Sequence, residues 1–111
     1  MAYSARINNL LDKTKANLIL DHSDDDRLIV GCITAAMDYA ERIQHKQEGY
    51  YQIAKNTIPA STEAGIVMLA SHWYESRDGS TGGFFGDNVS AGNAAVNAAE
   101  NLFRLHKDVI V

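Results

Sequence analysis

Residues 25–44 read DDRLIVGCITAAMDYAERIQ and carry the clearest apolar periodicity in the chain. Apolar side chains recur there every three or four residues, which is the spacing of one face of an α-helix. Aspartates at 24–26 suit the positive end of a helix dipole, and Ser23 or Asp24 can cap the free N–H groups. A glycine inside this helix, Gly31, costs about 1 kcal/mol relative to alanine, which a close approach of another helix would explain. The predicted inward face consists of Ile29, Cys32, Ile33, Ala36, Ala40 and Ile43, widened by Leu28, Ala35 and Tyr39.

Two further segments, one near each end of the chain, have the same helical spacing. The first covers about residues 4–18, and Ser4 is its predicted N-cap. The second covers about residues 94–107, and Lys107 suits the negative end of its dipole. The predicted inward stripes are Ile7, Leu10, Leu11, Thr14 and Leu18 in the first segment, and Ala95, Ala99, Leu102, Phe103 and His106 in the second.

A fourth helix is predicted after Pro59, the only proline in the chain. Ser61 or Thr62 can cap it, and Glu63 suits its first turn. The helix should end near Arg77, because an Asp-Gly pair follows. Its predicted stripe consists of Ile66, Leu69, Ala70 and Trp73, with Val67 and Tyr74 beside it.

Three segments do not have a helical pattern. Residues 49–58 include a short tyrosine-rich run with strand propensity, so we predict a small β-hairpin or an extended link there. Residues 78–93 hold five of the eight glycines and predict a mobile loop that contains Phe84 and Phe85. Residues 108–111 form a short apolar tail. The predicted fold is therefore an all-α bundle of about four helices with a possible short β-hairpin and a flexible glycine-rich loop.

The composition limits the class of protein. The chain has 111 residues, of which 46% are hydrophobic, and we expect a single domain over 1–111. A formal net charge of −4 argues against a free-standing nucleic-acid-binding module, which normally has a basic face. The lone cysteine, Cys32, excludes an intrachain disulfide. Because we find neither a signal peptide nor an apolar run long enough to span a membrane, we expect a soluble intracellular protein.

No set of residues predicts a catalytic centre. The acidic run at 21–26 lacks the central glycine and the final glutamate of a calcium loop, so a helix-start cap is the better interpretation. His72 and Glu75 have the spacing of a metal-binding pair, but a di-metal bundle needs that pair twice. Cys32 lies on a predicted apolar face, where thiols are usually inert. We therefore expect no catalytic residue, metal or cofactor. A metal-dependent enzyme that uses His72 and Glu75 stays open as the least favoured hypothesis.

Two stretches have a more specific pattern. Pro59 starts an apolar helix that ends in His-Trp-Tyr-Glu-Ser-Arg at residues 72–77, and a lysine–leucine–acidic lead at 15–26 precedes the longest predicted helix. Together they resemble the small head–tail connector (adaptor) proteins of tailed bacteriophages. The order of elements is similar over roughly residues 10–105, which is most of the chain.

The resemblance implies a structural virion protein without enzymatic activity or cofactor. Such a subunit forms a homo-oligomeric ring, twelve-fold in the virion, under the portal protein at the capsid vertex. The ring extends the DNA channel, lets DNA pass without specific binding, and supports further head-completion and tail proteins. The resemblance also implies a place at the head–tail junction of the virion, assembly in the host cytoplasm, and no membrane association.

The predicted assembly residues fall in three places. Near the end of the Pro59 helix, two aromatic side chains can anchor the helix and two charged ones can attract an adjoining subunit. The phenylalanine pair of the loop and the C-terminal tail are apolar pieces that contacts between subunits would bury. The predicted set is Trp73, Tyr74, Glu75, Arg77, Phe84, Phe85, Val109, Ile110 and Val111.

An alternative class remains open from the residues alone. A small helical regulatory module that binds DNA or another protein would also suit the length and the helical pattern. Its discriminating feature would be a basic recognition helix, and the predicted helices after Asp24 and after Pro59 have none. The last predicted helix has only Arg104 and Lys107 as basic residues.

Overall fold

The fold is a bundle of α-helices. The computed structural model describes residues 3–76 and 94–106. Its helices are α1 (Ala5–Leu18), α2 (Asp26–Gln44), α3 (Ala60–Ser76) and α4 (94–104). Among the first three helices the contact between α2 and α3 is the most extensive, and α1 lies against both. The predicted all-α bundle of about four helices is confirmed, and no helix in the described part of the chain has the length and apolar character needed to cross a membrane.

The first helix begins as its sequence predicts. The Ser4 hydroxyl accepts a hydrogen bond from the Ile7 backbone N–H at 3.2 Å, so Ser4 is the N-cap of α1. Leu18 is half-buried, whereas the rest of the predicted stripe is fully buried. The buried residues of α1 are Ile7, Leu10, Leu11 and Thr14.

The long helix α2 is confirmed, but the predicted cap is wrong. Asp25 precedes its first turn and makes no side-chain capping bond, while the Asp24 backbone N–H donates to His22 Nδ1 at 3.3 Å. Four residues of the predicted inward face are buried, whereas Cys32, Tyr39 and Ile43 are half-buried. Leu28 and Ala35 are exposed. The buried residues of α2 are Ile29, Ile33, Ala36, Met37, Ala40, Glu41 and Gln44.

The predicted β-hairpin at 49–58 is wrong. The chain instead forms a 3-10 helix at Tyr50–Gln52, entered through Gly49 with φ 81°, followed by a turn. No β-strand occurs among the residues that the structure describes. The physical reason is that side chains take the backbone groups a strand ladder would need. Glu41 accepts the N–H groups of Gly49 and Tyr51, and Arg6 donates to the Tyr51 carbonyl.

Helix α3 begins before the two residues that were predicted to cap it. Its first residue is Ala60, so Ser61 and Thr62 lie inside the helix and do not cap it. The Pro59 carbonyl accepts the Glu63 backbone N–H at 2.9 Å, which makes proline the residue that starts the helix. The buried residues of α3 are Thr62, Gly65, Ile66, Leu69, Ala70 and Ser71, and Trp73 of the predicted stripe is half-buried.

A glycine does permit a close helix approach, but at a different position from the one expected. Gly31 is exposed, and a Cβ added there would meet nothing within 4 Å. A Cβ added at Gly65 would lie 2.5 Å from Cε1 of Phe103. The glycine that packing requires is therefore Gly65, which admits the fully buried Phe103 ring of α4 against α3.

Candidate assembly site

The predicted anchors Trp73 and Tyr74 attach the end of α3 to α2. The Trp73 ring meets the Tyr39 ring edge-on, with centroids 6.1 Å apart and an interplanar angle of 75°. The Tyr74 hydroxyl donates a hydrogen bond to Asp25 Oδ2 at the beginning of α2. Both rings are half-buried. Each therefore serves the packing of the subunit and still has surface left for a neighbour.

Tyr39 continues this contact from α2 to α4. Its hydroxyl donates to Glu100 Oε2, and its ring is tilted against Phe103 with centroids 6.4 Å apart. The hydrogen bond to Glu100 and the loss of solvent around the phenol raise the pKa of Tyr39 above its usual value of 10.0. Glu100 also pairs with Arg104 at 3.4 Å. Contacts between aromatic and carboxylate side chains thus join α3, α2 and α4.

Glu75 belongs to a different surface, a groove between α1 and α3. We call it the α1–α3 groove, and its aliphatic lining consists of Ala16, Ala60, Ala64, Val67 and Met68. Its polar lining includes Lys13, Asn17, Glu63, Ser71, His72 and Glu75, and Ala95 of α4 also contributes.

Polar contacts between α1 and α3 fix the shape of this groove. Lys13 Nζ lies 2.6 Å from Glu63 Oε1, and Asn17 Nδ2 donates to Ser71 Oγ at 2.9 Å. His72 and Glu75 do face one groove, as their helical spacing predicts. No group of three or more potential metal-ligating side chains occurs within residues 3–76 and 94–106.

Helix α3 is apolar on two sides, which is unusual for a surface helix. One side, with Ile66 and Leu69, is fully buried in the bundle. The groove side contains Ala64, which is exposed, and Val67 and Met68, which are half-buried. Glu63, His72 and Glu75 of α3 line the same groove, so this side of the helix combines aliphatic and polar side chains.

The sequence interpretation missed a buried glutamine that joins the bundle. Gln44 is completely buried at the end of α2, and its amide donates to Thr62 Oγ1 at 2.8 Å and to the Phe103 carbonyl at 2.9 Å. The Tyr51 hydroxyl donates to the same side chain at Oε1. Its position in the sequence could have indicated this burial. Residues 40 and 44 are one helical turn apart, and both continue the apolar stripe of the helix.

Glu41 and Arg6 hold the connection between α2 and α3, and sequence interpretation missed both. The two Glu41 carboxylate oxygens accept the backbone N–H groups of Gly49 and Tyr51, each at 2.9 Å. Arg6 of α1 donates to the backbone carbonyls of Tyr51 at 2.6 Å and Ile53 at 3.0 Å. These bonds hold the fully buried Tyr51 side chain next to Gln44. Gln44 in turn donates a hydrogen bond to Thr62 of α3.

The other predicted assembly residues lie outside the described residues. They are Arg77 at the end of the predicted helix, Phe84 and Phe85, and Val109, Ile110 and Val111. The structure therefore brings together Trp73 and Tyr74 at the α2–α3 contact and puts Glu75 in the α1–α3 groove.

Fold and surface together define a small helical protein suited to contacts with other proteins. The family model of phage gp6-like head-tail connector proteins matches residues 8–103. Because this match covers most of the chain, the chain belongs to that family. No curated protein and no solved structure matches it. The family is one of structural rather than enzymatic proteins, and membership implies a virion component that associates with other phage head and tail proteins.

Proposed function

We propose that this chain is a head–tail connector subunit that forms a ring under the portal protein. The ring extends the DNA channel and supports head completion and tail joining, and in the virion it follows the twelve-fold symmetry of the portal. The observation that carries this proposal is the family match over residues 8–103. A ring of identical subunits needs two different surfaces on each subunit that fit each other around a closed rotation.

The apolar groove side of α3 supports an assembly role. The exposed Ala64 and the half-buried Val67 and Met68 leave aliphatic surface in the α1–α3 groove. Contact with a neighbouring subunit removes such surface from water, which favours association. The same argument extends to Phe84, Phe85 and 109–111, which we assign to contacts between subunits from their sequence.

The charge distribution supports a channel that does not bind DNA specifically. Four basic side chains in the described part of the chain lie close to carboxylates, at distances of 2.6 to 3.4 Å. The pairs are Lys13–Glu63, Lys15–Asp26, Arg42–Asp38 and Arg104–Glu100. With a net charge of −4, these pairs leave little positive field for phosphate groups. The same charges argue against the alternative of a DNA-binding regulator.

We assign Trp73, Tyr74, Glu75 and Arg77 to the edge of the subunit contact. The two aromatic side chains fix the end of α3, and we assign to the charges of Glu75 and Arg77 the attraction of an adjoining subunit. Charges at a subunit contact contribute mainly to the orientation and rate of association rather than to its free energy.

Assembly with the portal protein encoded by the same phage tests the proposed function. The protein is mixed with portal rings, and its stoichiometry is measured by native mass spectrometry and its shape by negative-stain electron microscopy. We expect a second ring of this chain on one end of the portal. A strictly monomeric protein that ignores the portal, at concentrations well above those of the virion proteins in an infected cell, would contradict the proposal.

A further inference from the structure

The predicted assembly residues are attached to the ends of two helices, α3 and α4. Trp73 and Tyr74 lie in the last turn of α3. Phe84 and Phe85 follow α3 and precede α4 in the sequence, and residues 109–111 follow α4. The position of α4 relative to the end of α3 therefore determines where the chain that carries each group leaves the described bundle.

Tyr39 of α2 contacts both of these helices. Its ring meets the Trp73 ring edge-on at a centroid distance of 6.1 Å and is tilted against the Phe103 ring at 6.4 Å. Its hydroxyl donates a hydrogen bond to Glu100 Oε2, one turn before Phe103 in α4. The orientation of one tyrosine ring thus depends on the end of α3 and on α4 together.

Other contacts of α4 lie at a different place in the bundle. The Phe103 ring packs into the space that Gly65 leaves, and the Phe103 carbonyl accepts a hydrogen bond from the Gln44 amide. Gly65 lies about two turns before Trp73, roughly 12 Å away along the axis of α3. These contacts hold α4 on the bundle, whereas Tyr39 relates α4 to the end of α3.

The Tyr39 hydroxyl makes this relation specific. It donates to a carboxylate, and such a charge-assisted hydrogen bond is stronger than one between neutral groups. Arg104 lies 3.4 Å from the other oxygen of the same Glu100 carboxylate. Because the hydroxyl and the ring are one rigid unit, a shift of α4 turns the ring and changes its contact with Trp73. Ala95 of α4 also borders the α1–α3 groove near the end of α3, but it offers only a methyl group.

We propose that Tyr39 is a positioning residue of the assembly site, because it couples the end of α3 to α4. The link to assembly rests on the proposed function, whereas the coupling is a property of the subunit itself. A neighbouring subunit bound at Trp73 and Tyr74 should then hold α4 more firmly. By reciprocity, a firmly packed α4 should favour that binding, and coupling of this kind typically changes affinity by about 5- to 150-fold.

Replacement of Tyr39 tests its role in assembly. Tyr39→Leu removes the contacts with Trp73 and Glu100 together, so half-maximal ring formation on the portal should need a protein concentration on the order of tenfold higher. Tyr39→Phe keeps the ring and loses only the hydrogen bond, so its value should lie between those of the parent and the leucine variant.

Leu10→Val is the matched control for a general loss of stability. Leu10 is fully buried and lines a cavity with Ile58 and Glu63, beside the beginning of α3 rather than its end. The control and Tyr39→Leu should both lower Tm, by roughly 4–8 °C. At a temperature well below both Tm values, the control should assemble like the parent.

Hydrogen exchange tests the coupling without any partner. Trp73→Leu should speed the exchange of the α4 amides at 99–104 by about fivefold, because the disturbance reaches α4 through Tyr39. In a Tyr39→Leu background the same substitution should add little further acceleration, since residues that share a contact have non-additive effects. Combined with Leu10→Val, it should act additively. Tyr39→Phe takes the place of Tyr39→Leu in both experiments if the leucine variant does not fold.

The outcomes separate this inference from the proposed function. Additive effects on exchange of the substitutions at 39 and 73 would overturn the coupling, whether or not a ring forms. A ring that forms as readily with the Tyr39 variants as with Leu10→Val would overturn the positioning role and leave the proposed function standing. Non-additive exchange in a chain that forms no ring on the portal supports the coupling and contradicts the proposed function.

Discussion

The side-chain amide of Gln44 donates a hydrogen bond to the Thr62 hydroxyl at 2.8 Å and joins the end of α2 to the beginning of α3. The same amide reaches the Phe103 carbonyl of α4, and its oxygen accepts the Tyr51 hydroxyl. One buried side chain of α2 thus has partners in three other elements. Buried polar groups are costly unless all are paired, so this arrangement favours one packing of the bundle over alternatives.

Gln44→Leu should destabilise the subunit strongly. Leucine fills a similar volume but removes the bonds of Gln44 to the Thr62 hydroxyl, the Tyr51 hydroxyl and the Phe103 carbonyl, of which the Phe103 carbonyl keeps the His106 N–H. We expect the free energy of unfolding to fall by about 2–4 kcal/mol, measured by urea denaturation. Gln52→Leu is the matched control on an exposed glutamine, with an expected change within about 0.5 kcal/mol. Equal effects at the two positions would show that the Gln44 bonds contribute nothing specific.

Two glycine-to-alanine substitutions should have opposite signs. At Gly65 an added Cβ would lie 2.5 Å from the buried Phe103 ring, so α4 must shift, at a cost of about 1–3 kcal/mol. At Gly31 nothing lies within 4 Å, so alanine should stabilise α2 by about 0.5–1 kcal/mol through its higher helix propensity. Thermal unfolding of both variants tests the pair. A stabilising Gly65→Ala substitution would mean that α4 is not held against α3 as described.

Glu41→Gln should loosen the connection between α2 and α3. The carboxylate accepts the Gly49 and Tyr51 N–H groups, whereas an amide offers only one oxygen. We expect a loss of about 1–3 kcal/mol and faster hydrogen exchange at one of these two amides, followed by NMR. The control is Glu48→Gln, which removes an exposed charge nearby. Unchanged protection of both amides in the Glu41 variant would contradict the assignment.

The helices could be predicted because their apolar spacing is a local property of the sequence. Ser4 as N-cap and the face with Ile29 and Ile33 were correct for that reason. The continuation of the same stripe through Glu41 and Gln44 was missed. A polar residue on an apolar stripe is ordinarily assigned to the edge of a helix, and its burial depends on partners that are distant in sequence.

The wrong prediction of a β-hairpin has a similar cause. The run at 50–53 has strand propensity, but propensity is weak wherever side chains satisfy the backbone. Arg6, 45 residues before Tyr51, supplies one such bond, and no local pattern reveals it. Part of the candidate site was predictable, because Trp73 and Tyr74 are large aromatic residues near the predicted end of a helix. The roles of Glu41 and Gln44 depend on partners that no local pattern reveals.

The stability of the subunit should fall at high pH in a way that depends on Tyr39. Its hydrogen bond to Glu100 raises the pKa of Tyr39 above 10.0 in the folded state, so the unfolded chain loses this proton first. The stabilising contribution is therefore complete below pH 10 and is lost as the pH rises through that value towards the folded pKa. Urea denaturation at several alkaline pH values should show a steeper decline for the parent than for Tyr39→Phe. Parallel curves would contradict this linkage.

Replacing both Phe84 and Phe85 with serine should weaken assembly more than folding. The prediction follows from the proposal that contacts between subunits bury this apolar pair. Serine lacks most of the apolar surface that such a contact removes from water, so the contact should weaken. Ring formation on the portal is measured by native mass spectrometry, and Tm is measured on the same samples. Ile53→Ser, at a residue that is 48% exposed, is the control and should change neither quantity much. A collapse of Tm in the double variant would instead assign both phenylalanines to the core of the subunit.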